Sequence, residues 1–165
     1  MQKHSCSQNL IFETLLTCSR MIFILGFIGA FMTMELVAWS AHKFVMHGFL
    51  WSVHRDHHQP TGSKFQRNDL FFLIFAIPSW QCIMLGFIFG SILSIGIGFG
   101  IALYGIIYFL FHEVLIHRRF NWLDNMNNRY FKMLKAGHRR HHEFVEKEDG
   151  ECFGLLIVPK RFWKK

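Results

Sequence analysis

Charge is what this sequence of 165 residues lacks over much of its length. The forty-two residues from Leu70 to Phe111 contain no Lys, Arg, Asp or Glu, and the run from Met21 to Ala41 contains only Glu35. At about 1.5 Å per residue, roughly 20 apolar residues are enough to cross the hydrocarbon core of a bilayer. A hydrophobic content of 52% with twenty phenylalanines likewise argues against a soluble domain.

Cysteine is also scarce, which narrows the kinds of site that the chain can build. The four cysteines form no Cys-x-x-Cys pair, so neither a disulfide framework nor a thiolate metal site is expected. Acidic residues number 11 against 18 Lys and Arg, but no nucleic-acid-binding module is recognisable. We therefore interpret the net charge of +7 as a sign of membrane topology rather than of a nucleic-acid partner.

The apolar runs predict an all-α integral membrane protein that forms a single domain over residues 1–165. One transmembrane helix is expected at 21–41, after an N-terminal extension over 1–20. The uncharged run predicts a helical hairpin with spans at 70–90 and 93–112, because glycines cluster near its middle and favour a turn there. A hairpin that leaves and returns brings residue 112 back to the side of the membrane on which residue 41 lies.

The positive charges indicate which side this is. All Lys and Arg residues except Lys3 and Arg20 fall on the side where the first helix ends. The positive-inside rule makes that side cytoplasmic. We therefore expect a multi-pass cell-membrane protein with a histidine-rich helical cap on its cytoplasmic face.

Ten of the eleven histidines lie in two groups that share the same internal spacing. In each group a pair five residues apart is followed by a His-x-x-His-His motif. The first group is His42, His47, His54, His57 and His58, and the second is His112, His117, His138, His141 and His142. A spacing that repeats in the same order predicts a metal centre with all ten histidines as ligands.

The spacing also limits how these histidines can face one another. Positions i, i+3 and i+4 share one face of a helix, so each His-x-x-His-His motif can turn three imidazoles the same way. Residues five apart diverge by about 140° on an ideal α-helix, so both pairs require a bulge or a helix end, and Gly48 is consistent with such an exit. Ten imidazoles suit two metal ions, and nitrogen ligands alone leave iron, zinc, copper and nickel open.

Glu35 is the one acidic residue in the first apolar run. It precedes His42 by two helical turns, so both side chains project from the same face. This predicts either a carboxylate that accepts a hydrogen bond from the imidazole or an interfacial group that reaches water. Ligation requires neutral imidazoles, so metal binding should weaken below about pH 6.

These motifs resemble the histidine boxes of the membrane fatty-acid hydroxylase superfamily, and within it the bacterial β-carotene 3-hydroxylase family. The similarity extends from Met34 through Asn68-Asp69-Leu70, at the entry to the second span, to the run Gly150-Glu151-Cys152-Phe153-Gly154 after the last box. Two positions depart from the family pattern. The second box, His54-Arg55-Asp56-His57-His58, carries charges where uncharged residues are commoner, and Glu113 stands where Asp is common.

The resemblance implies a non-haem centre of two iron ions that uses O2 to hydroxylate C3 of the β-ionone rings of β-carotene. The products would be β-cryptoxanthin and zeaxanthin, with electrons from a ferredoxin-type donor. We expect Glu35 and Glu113 to support ligand imidazoles. The ring would enter between the helices. Candidate walls there are Phe71, Phe72, Phe109 and Phe111, for which core packing is the first alternative. Six basic residues could guide an acidic donor: Arg118, Arg119, Lys132, Lys135, Arg139 and Arg140.

Other functions use the same boxes. A fatty-acid or sterol hydroxylase would act on another apolar chain, and a carotenoid ketolase would oxidise the neighbouring ring carbon. The non-enzyme alternative is a membrane metal carrier, which needs ligands along a crossing path. The histidines do not separate the hydroxylases from the ketolase, and the sequence does not assign them to individual ions.

Overall fold

The computed structural model describes residues 2–59, 65–126, 128–144, 146–147 and 150–164, and these form helices and loops without a strand. The described residues include five α-helices: α1 Gln2–Ser40, α2 Trp51–His58, α3 Phe71–Phe89, α4 Ile92–Tyr108 and α5 Arg129–His142. Two π-helical segments, Ala41–Phe49 and Phe109–Ile116, continue α1 and α4. Short 3-10 helices lie at Arg67–Leu70, Asn121–Leu123 and Lys160–Lys164. The predicted all-α class is confirmed.

Within the part of the chain that the structure describes, three helical stretches are long and apolar enough to cross a membrane: Ile11–Phe49, Arg67–Phe89 and Ile92–Ile116. α3 and α4 lie close to the spans 70–90 and 93–112 expected from the sequence. The first helix differs, because α1 runs without a break from Gln2 and has no boundary at residue 20. No proline or glycine precedes Gly26, so nothing in the backbone chemistry ends the helix earlier.

α4 packs between α1 and α3, and glycines line these contacts. A Cβ at Gly96 would lie 2.4 Å from the carbonyl oxygen of Phe23, and one at Gly100 would lie 2.4 Å from that of Phe27. The contact on α1 moves four residues forward, from Phe23 to Phe27, as the glycine on α4 moves four residues forward, so α1 and α4 run in the same direction. Gly90, with φ of +67°, makes the turn of the α3–α4 hairpin. Glycines thus allow the close helix contact that is common in membrane proteins.

The cap consists of α2, α5 and the chain that follows α5. Its core is a buried cluster formed by Leu115, Phe131, Met133, Leu134 and Val158. Residues 150–158, which we call the C-terminal strap, return from the cap to the membrane helices. There Leu156 packs against the buried cluster formed by Met34, Ala38, Phe75 and Tyr104. The apolar strip Phe153–Val158 therefore packs on the protein.

Candidate metal centre

Both five-residue histidine pairs lie on π-helical segments. The amide of His117 donates to the carbonyl oxygen of His112 at 3.0 Å, which is the five-residue bond that defines a π-turn. His42 and His47 lie on the other segment, which Gly48 interrupts with non-helical angles. A π-turn brings residues five apart to the same face, which an α-helix does not. The predicted bulge is therefore confirmed for both pairs.

The first histidine cluster takes members from three parts of the chain. It consists of His42, His47, His54, His58 and His141, whose candidate ligand nitrogens all lie within 4.8 Å of one another. All five side chains are buried. The closest Nε2–Nε2 distances are 3.1 Å for His42–His54, 3.2 Å for His54–His58 and 3.3 Å for His47–His141.

The second histidine cluster consists of His57, His112, His117 and His138, again with ligand nitrogens within 4.8 Å of one another. The Nε2 atoms of His117 and His138 are 2.8 Å apart. The ring of His142 adjoins this cluster, with its centroid 4.5 Å from that of His138 and 4.8 Å from that of His57. All ten predicted histidines therefore lie in or beside the two neighbouring clusters.

Each His-x-x-His-His motif serves both clusters. The i and i+4 histidines of α2, His54 and His58, enter the first cluster, whereas His57 enters the second. In α5 the arrangement is reversed, because His141 enters the first cluster while His138 enters the second and His142 adjoins it. The sequence predicted one shared face for each motif, and the structure divides that face between two positions.

Every Nδ1 in the first cluster donates to an oxygen, and four of the five acceptors are backbone carbonyls downstream of α5. The four pairs are His58 with Phe144 at 3.0 Å, His47 with Lys147 at 3.2 Å, His141 with Glu151 at 2.8 Å and His42 with Phe153 at 3.0 Å. The fifth, His54, donates to Oδ1 of Asn68 at 2.6 Å. These bonds fix both the tautomer and the orientation of each ring.

This tautomer decides whether a metal fits. A carbonyl oxygen only accepts hydrogen bonds, so the proton of each ring is on Nδ1 and Nε2 presents a lone pair. Two Nε2 atoms about 3.1 Å apart, as in His42 and His54, then cannot hydrogen-bond to each other. In the second cluster, Nε2 of His57 and of His112 is buried with no partner among the described residues. Converging lone pairs on neutral imidazoles are the donor set of a transition-metal site.

Four box histidines outside the membrane spans have the lowered pKa values that suit ligation by neutral imidazole. Burial lowers the pKa of His54 to about 3 and that of His58 to about 4. Burial likewise lowers the pKa of His117 to about 3 and that of His141 to about 2, each lowered further by neighbouring histidines. At neutral pH these rings offer lone pairs without first losing a proton.

Glu113 and Glu35, the two carboxylates expected near the ligands, have different hydrogen-bond partners, and only Glu113 is bonded to a box histidine. Oε1 of Glu113 accepts from Nδ1 of His112 at 2.7 Å, and Oε2 accepts from Arg119 at 2.7 Å. Arg119 also donates to both carboxylate oxygens of Asp69, at 2.7 and 2.9 Å. The expected contact of Glu113 with a box histidine is therefore present, and it is held in place by a partly buried ion pair with Arg119.

Glu35 makes no hydrogen bond to His42, so the first of the two alternatives given for it, a carboxylate that accepts from this imidazole, is wrong. The Nδ1 of His42 is already held by the Phe153 carbonyl. The carboxylate of Glu35 accepts instead from three strap amides and from the hydroxyl of Tyr104. Glu35 and His42 do share one helix face, but the strap lies between their side chains.

Sequence reasoning missed two amide side chains that hold box histidines. Asn68 holds His54, and Oε1 of Gln66 accepts from Nδ1 of His57 at 3.1 Å. Asp56, one of the unusual charges of the second box, accepts from the backbone amides of Arg67 at 2.5 Å and Asn68 at 3.4 Å. It thereby fixes the turn that carries both amides. The one available signal was polar residues immediately before an uncharged span.

An apolar pocket of about 440 Å³ reaches the hydrogen-bond partners of both clusters. Its walls are mostly aromatic, and its polar end includes Asn68, Glu113 and Arg119. The aromatic lining residues are Phe65, Phe71, Phe72, Phe75, Tyr108, Phe109 and Phe120. Phe111 is not among them, because its ring packs against Phe131 in the cap core, with centroids 5.3 Å apart.

A second opening of about 410 Å³ lies over the second cluster. Four histidines line it, namely His57, His117, His138 and His142. Three basic residues, Arg118, Lys135 and Arg139, complete its rim with Ile116. The centre therefore has an apolar approach from the membrane helices and a basic approach from the cap.

Comparison with known proteins identifies the family of the chain. The sequence model of the fatty acid hydroxylase family matches residues 27–160. The chain belongs to the fatty acid hydroxylase family. A beta-carotene hydroxylase of Pantoea ananas is 38% identical over 76% of this chain and 71% of its own length. One from Paracoccus sp. (strain N81106 / MBIC 01143) is 32% identical over 80% and 82%, respectively.

A plant relative of this fatty acid hydroxylase is longer. Beta-carotene hydroxylase 1, chloroplastic, of Capsicum annuum is 37% identical over 84% of this chain, which spans 44% of that protein. No solved structure matches the chain. As a member of a hydroxylase family the protein is an oxidoreductase. Its ten box histidines gather at one end of the helices rather than along a crossing path, which argues against a metal carrier.

Proposed function

We propose that this fatty acid hydroxylase inserts one oxygen atom of O2 at C3 of the β-ionone rings of β-carotene, giving β-cryptoxanthin and then zeaxanthin. The observation that carries the proposal is the apolar pocket, whose polar end consists of the residues that hold the box histidines, Asn68 for His54 and Glu113 for His112. The bacterial relatives named for β-carotene support the choice of substrate.

The pocket suits one ring of a long hydrocarbon. Its volume of about 440 Å³ falls within the range of small-molecule sites. Phe72 is 49% exposed on the membrane-facing surface of α3, so a polyene could leave the pocket toward lipid while its ring remains inside. Gly105 keeps the facing side of α4 open, because the nearest atom to an added Cβ there is 4.0 Å away.

We assign the ten histidines as ligands of two iron ions, five to each position. Bound iron would supply redox chemistry that Zn²⁺, with no accessible second oxidation state, does not. The balanced reaction consumes one O2, two electrons and two protons, and it yields the alcohol and water. The carbonyl acceptors keep the Nδ1 protons in place, and the Phe153 ring, whose centroid is 5.1 Å from that of His47, covers the first position and excludes water.

The two electrons require a donor, and the basic rim over the second cluster fits an acidic carrier of the ferredoxin type. Arg118 and Arg139 are exposed, and Lys135 is half-buried beside them. Positive potential at this opening would raise the encounter rate with an acidic protein. The same excess of positive charge supports a cytoplasmic location for the cap.

The test is expression of the full chain in cells that accumulate β-carotene, followed by pigment chromatography. We expect β-cryptoxanthin and zeaxanthin, and neither in a matched strain that expresses His57→Ala. Absence of hydroxylated carotenoid from the strain with the unaltered chain would refute the proposed substrate. Keto carotenoids would identify a ketolase, and hydroxylated fatty acids or sterols would identify one of the other hydroxylases.

A further inference from the structure

Glu35 ties α1 to the C-terminal strap through a concentrated set of hydrogen bonds. Its Oε1 accepts from the amides of Leu155, Leu156 and Ile157 at 3.0, 2.9 and 3.1 Å. Its Oε2 accepts from the hydroxyl of Tyr104 at 2.8 Å. Three successive amides that converge on one carboxylate oxygen form an anion-binding turn of the backbone.

The interaction is reciprocal. A carboxylate inside an apolar span is stable only with donors around it, and the strap amides supply them. The amides, in turn, lie away from any helix or sheet and need an acceptor. Gly154 permits the approach, because a Cβ there would lie 3.0 Å from Oε1 of Glu35 and 3.0 Å from the carbonyl oxygen of Ile157.

The residues just upstream in the strap hold the first histidine cluster. The carbonyl of Phe153 holds Nδ1 of His42 and that of Glu151 holds Nδ1 of His141. The ring of Phe153 also packs on the cluster, with centroids 5.5 Å from His42 and 5.2 Å from His141. The position of the strap therefore orients two of the five imidazoles and covers them.

We propose that Glu35 is a positioning residue that anchors the strap and thereby sets metal affinity at the first cluster without touching any of its histidines. The inference rests on the proposed metal centre. The second cluster does not depend on the strap in this way, since the described acceptors for His57 and His112 are the side chains of Gln66 and Glu113. Loss of Glu35 should therefore affect one metal position and spare the other.

The experiment measures metal bound per chain in purified full-length protein, loaded with Fe²⁺ or with Co²⁺ as a spectroscopic probe and titrated with a chelator. Wild type should hold two ions. Glu35→Ala should keep one, while affinity at the other position falls about 10–100-fold, the usual effect of removing a partner that orients a ligand. Gly154→Val should act similarly by displacing the strap, and Glu35→Gln should be milder because its amide oxygen still accepts from the strap.

Glu13→Gln, which removes a carboxylate elsewhere in α1, is the matched control and should retain both ions. A wild-type chain that binds no metal would refute the proposed centre itself. Two ions of unchanged affinity in Glu35→Ala would refute the role of Glu35 alone. Equal weakening of both positions in a folded Glu35→Ala or Gly154→Val protein would also refute it, because that result describes a general structural residue. If Glu35→Ala does not fold, Glu35→Gln and Gly154→Val decide the question by the same criteria.

Discussion

Asn68→Leu tests whether the tautomer of His54 controls metal binding. Asn68 is 8% exposed, and its Oδ1 accepts from Nδ1 of His54 at 2.6 Å, the shortest of the five bonds that orient the first cluster. Leucine has a similar shape but no acceptor. The Nδ1 proton of His54 would then be buried without a partner whenever Nε2 binds a metal.

A buried donor left unsatisfied costs about 1–3 kcal/mol. Since about 1.4 kcal/mol corresponds to a factor of ten, affinity at the first position should fall about 5–150-fold in Asn68→Leu. Asn68→Asp is the matched control, because it keeps an acceptor at the same place and should bind metal at least as well as wild type. A chelator titration of the purified proteins measures the change. Equal affinity in Asn68→Leu and wild type would contradict the tautomer argument.

Three further predictions concern packing, the pocket and pH. Gly100→Ala should destabilise the helices by about 1–3 kcal/mol in a detergent unfolding assay, because the added Cβ meets the Phe27 carbonyl at 2.4 Å, whereas Gly29→Ala, with nothing within 4 Å, should not. Gly105→Leu should raise KM for the carotenoid without changing metal content, because it fills the apolar pocket; an unchanged KM would place the substrate elsewhere. Burial lowers the folded-state pKa of His58 to about 4, so between pH 4 and about 6.5 the unfolded chain binds more protons than the folded protein does. The stability of the metal-free protein should therefore fall as pH falls through this range. Thermal unfolding measured across the range tests this.

Much of the fold follows from the sequence, because membrane insertion depends on the length of apolar runs and on the absence of charge, and both can be read from the residues. The uncharged run from Leu70 to Phe111 fixed the hairpin, and Gly90 fixed its turn. The start of α1 was less predictable, since a helix can extend beyond the apolar residues that cross the membrane. The residues just before Met21 include the charges of Glu13 and Arg20, but nothing there ends a helix.

The division of each His-x-x-His-His motif could have been deduced from helix geometry. At 3.6 residues per turn, i and i+4 differ by about 40°, whereas i+3 lies about 60° to the other side of i. His54 and His58 therefore point together and His57 points away from both, as the two clusters show. A metal site needs ligands that converge on one point, which is a stricter condition than a shared helix face.

The partners that orient the first cluster leave almost no trace in the sequence. Four of its five imidazoles donate to backbone carbonyls, at Phe144, Lys147, Glu151 and Phe153. Every residue has a carbonyl, so the side chains at these positions do not reveal the role. The sequence does show the residues that hold this backbone in place. Glu35 accepts from the strap amides, and Gly154 lets the strap approach Glu35 closely. For this reason Glu35 was correctly singled out as unusual and incorrectly paired with His42: it acts on the backbone that holds the histidine.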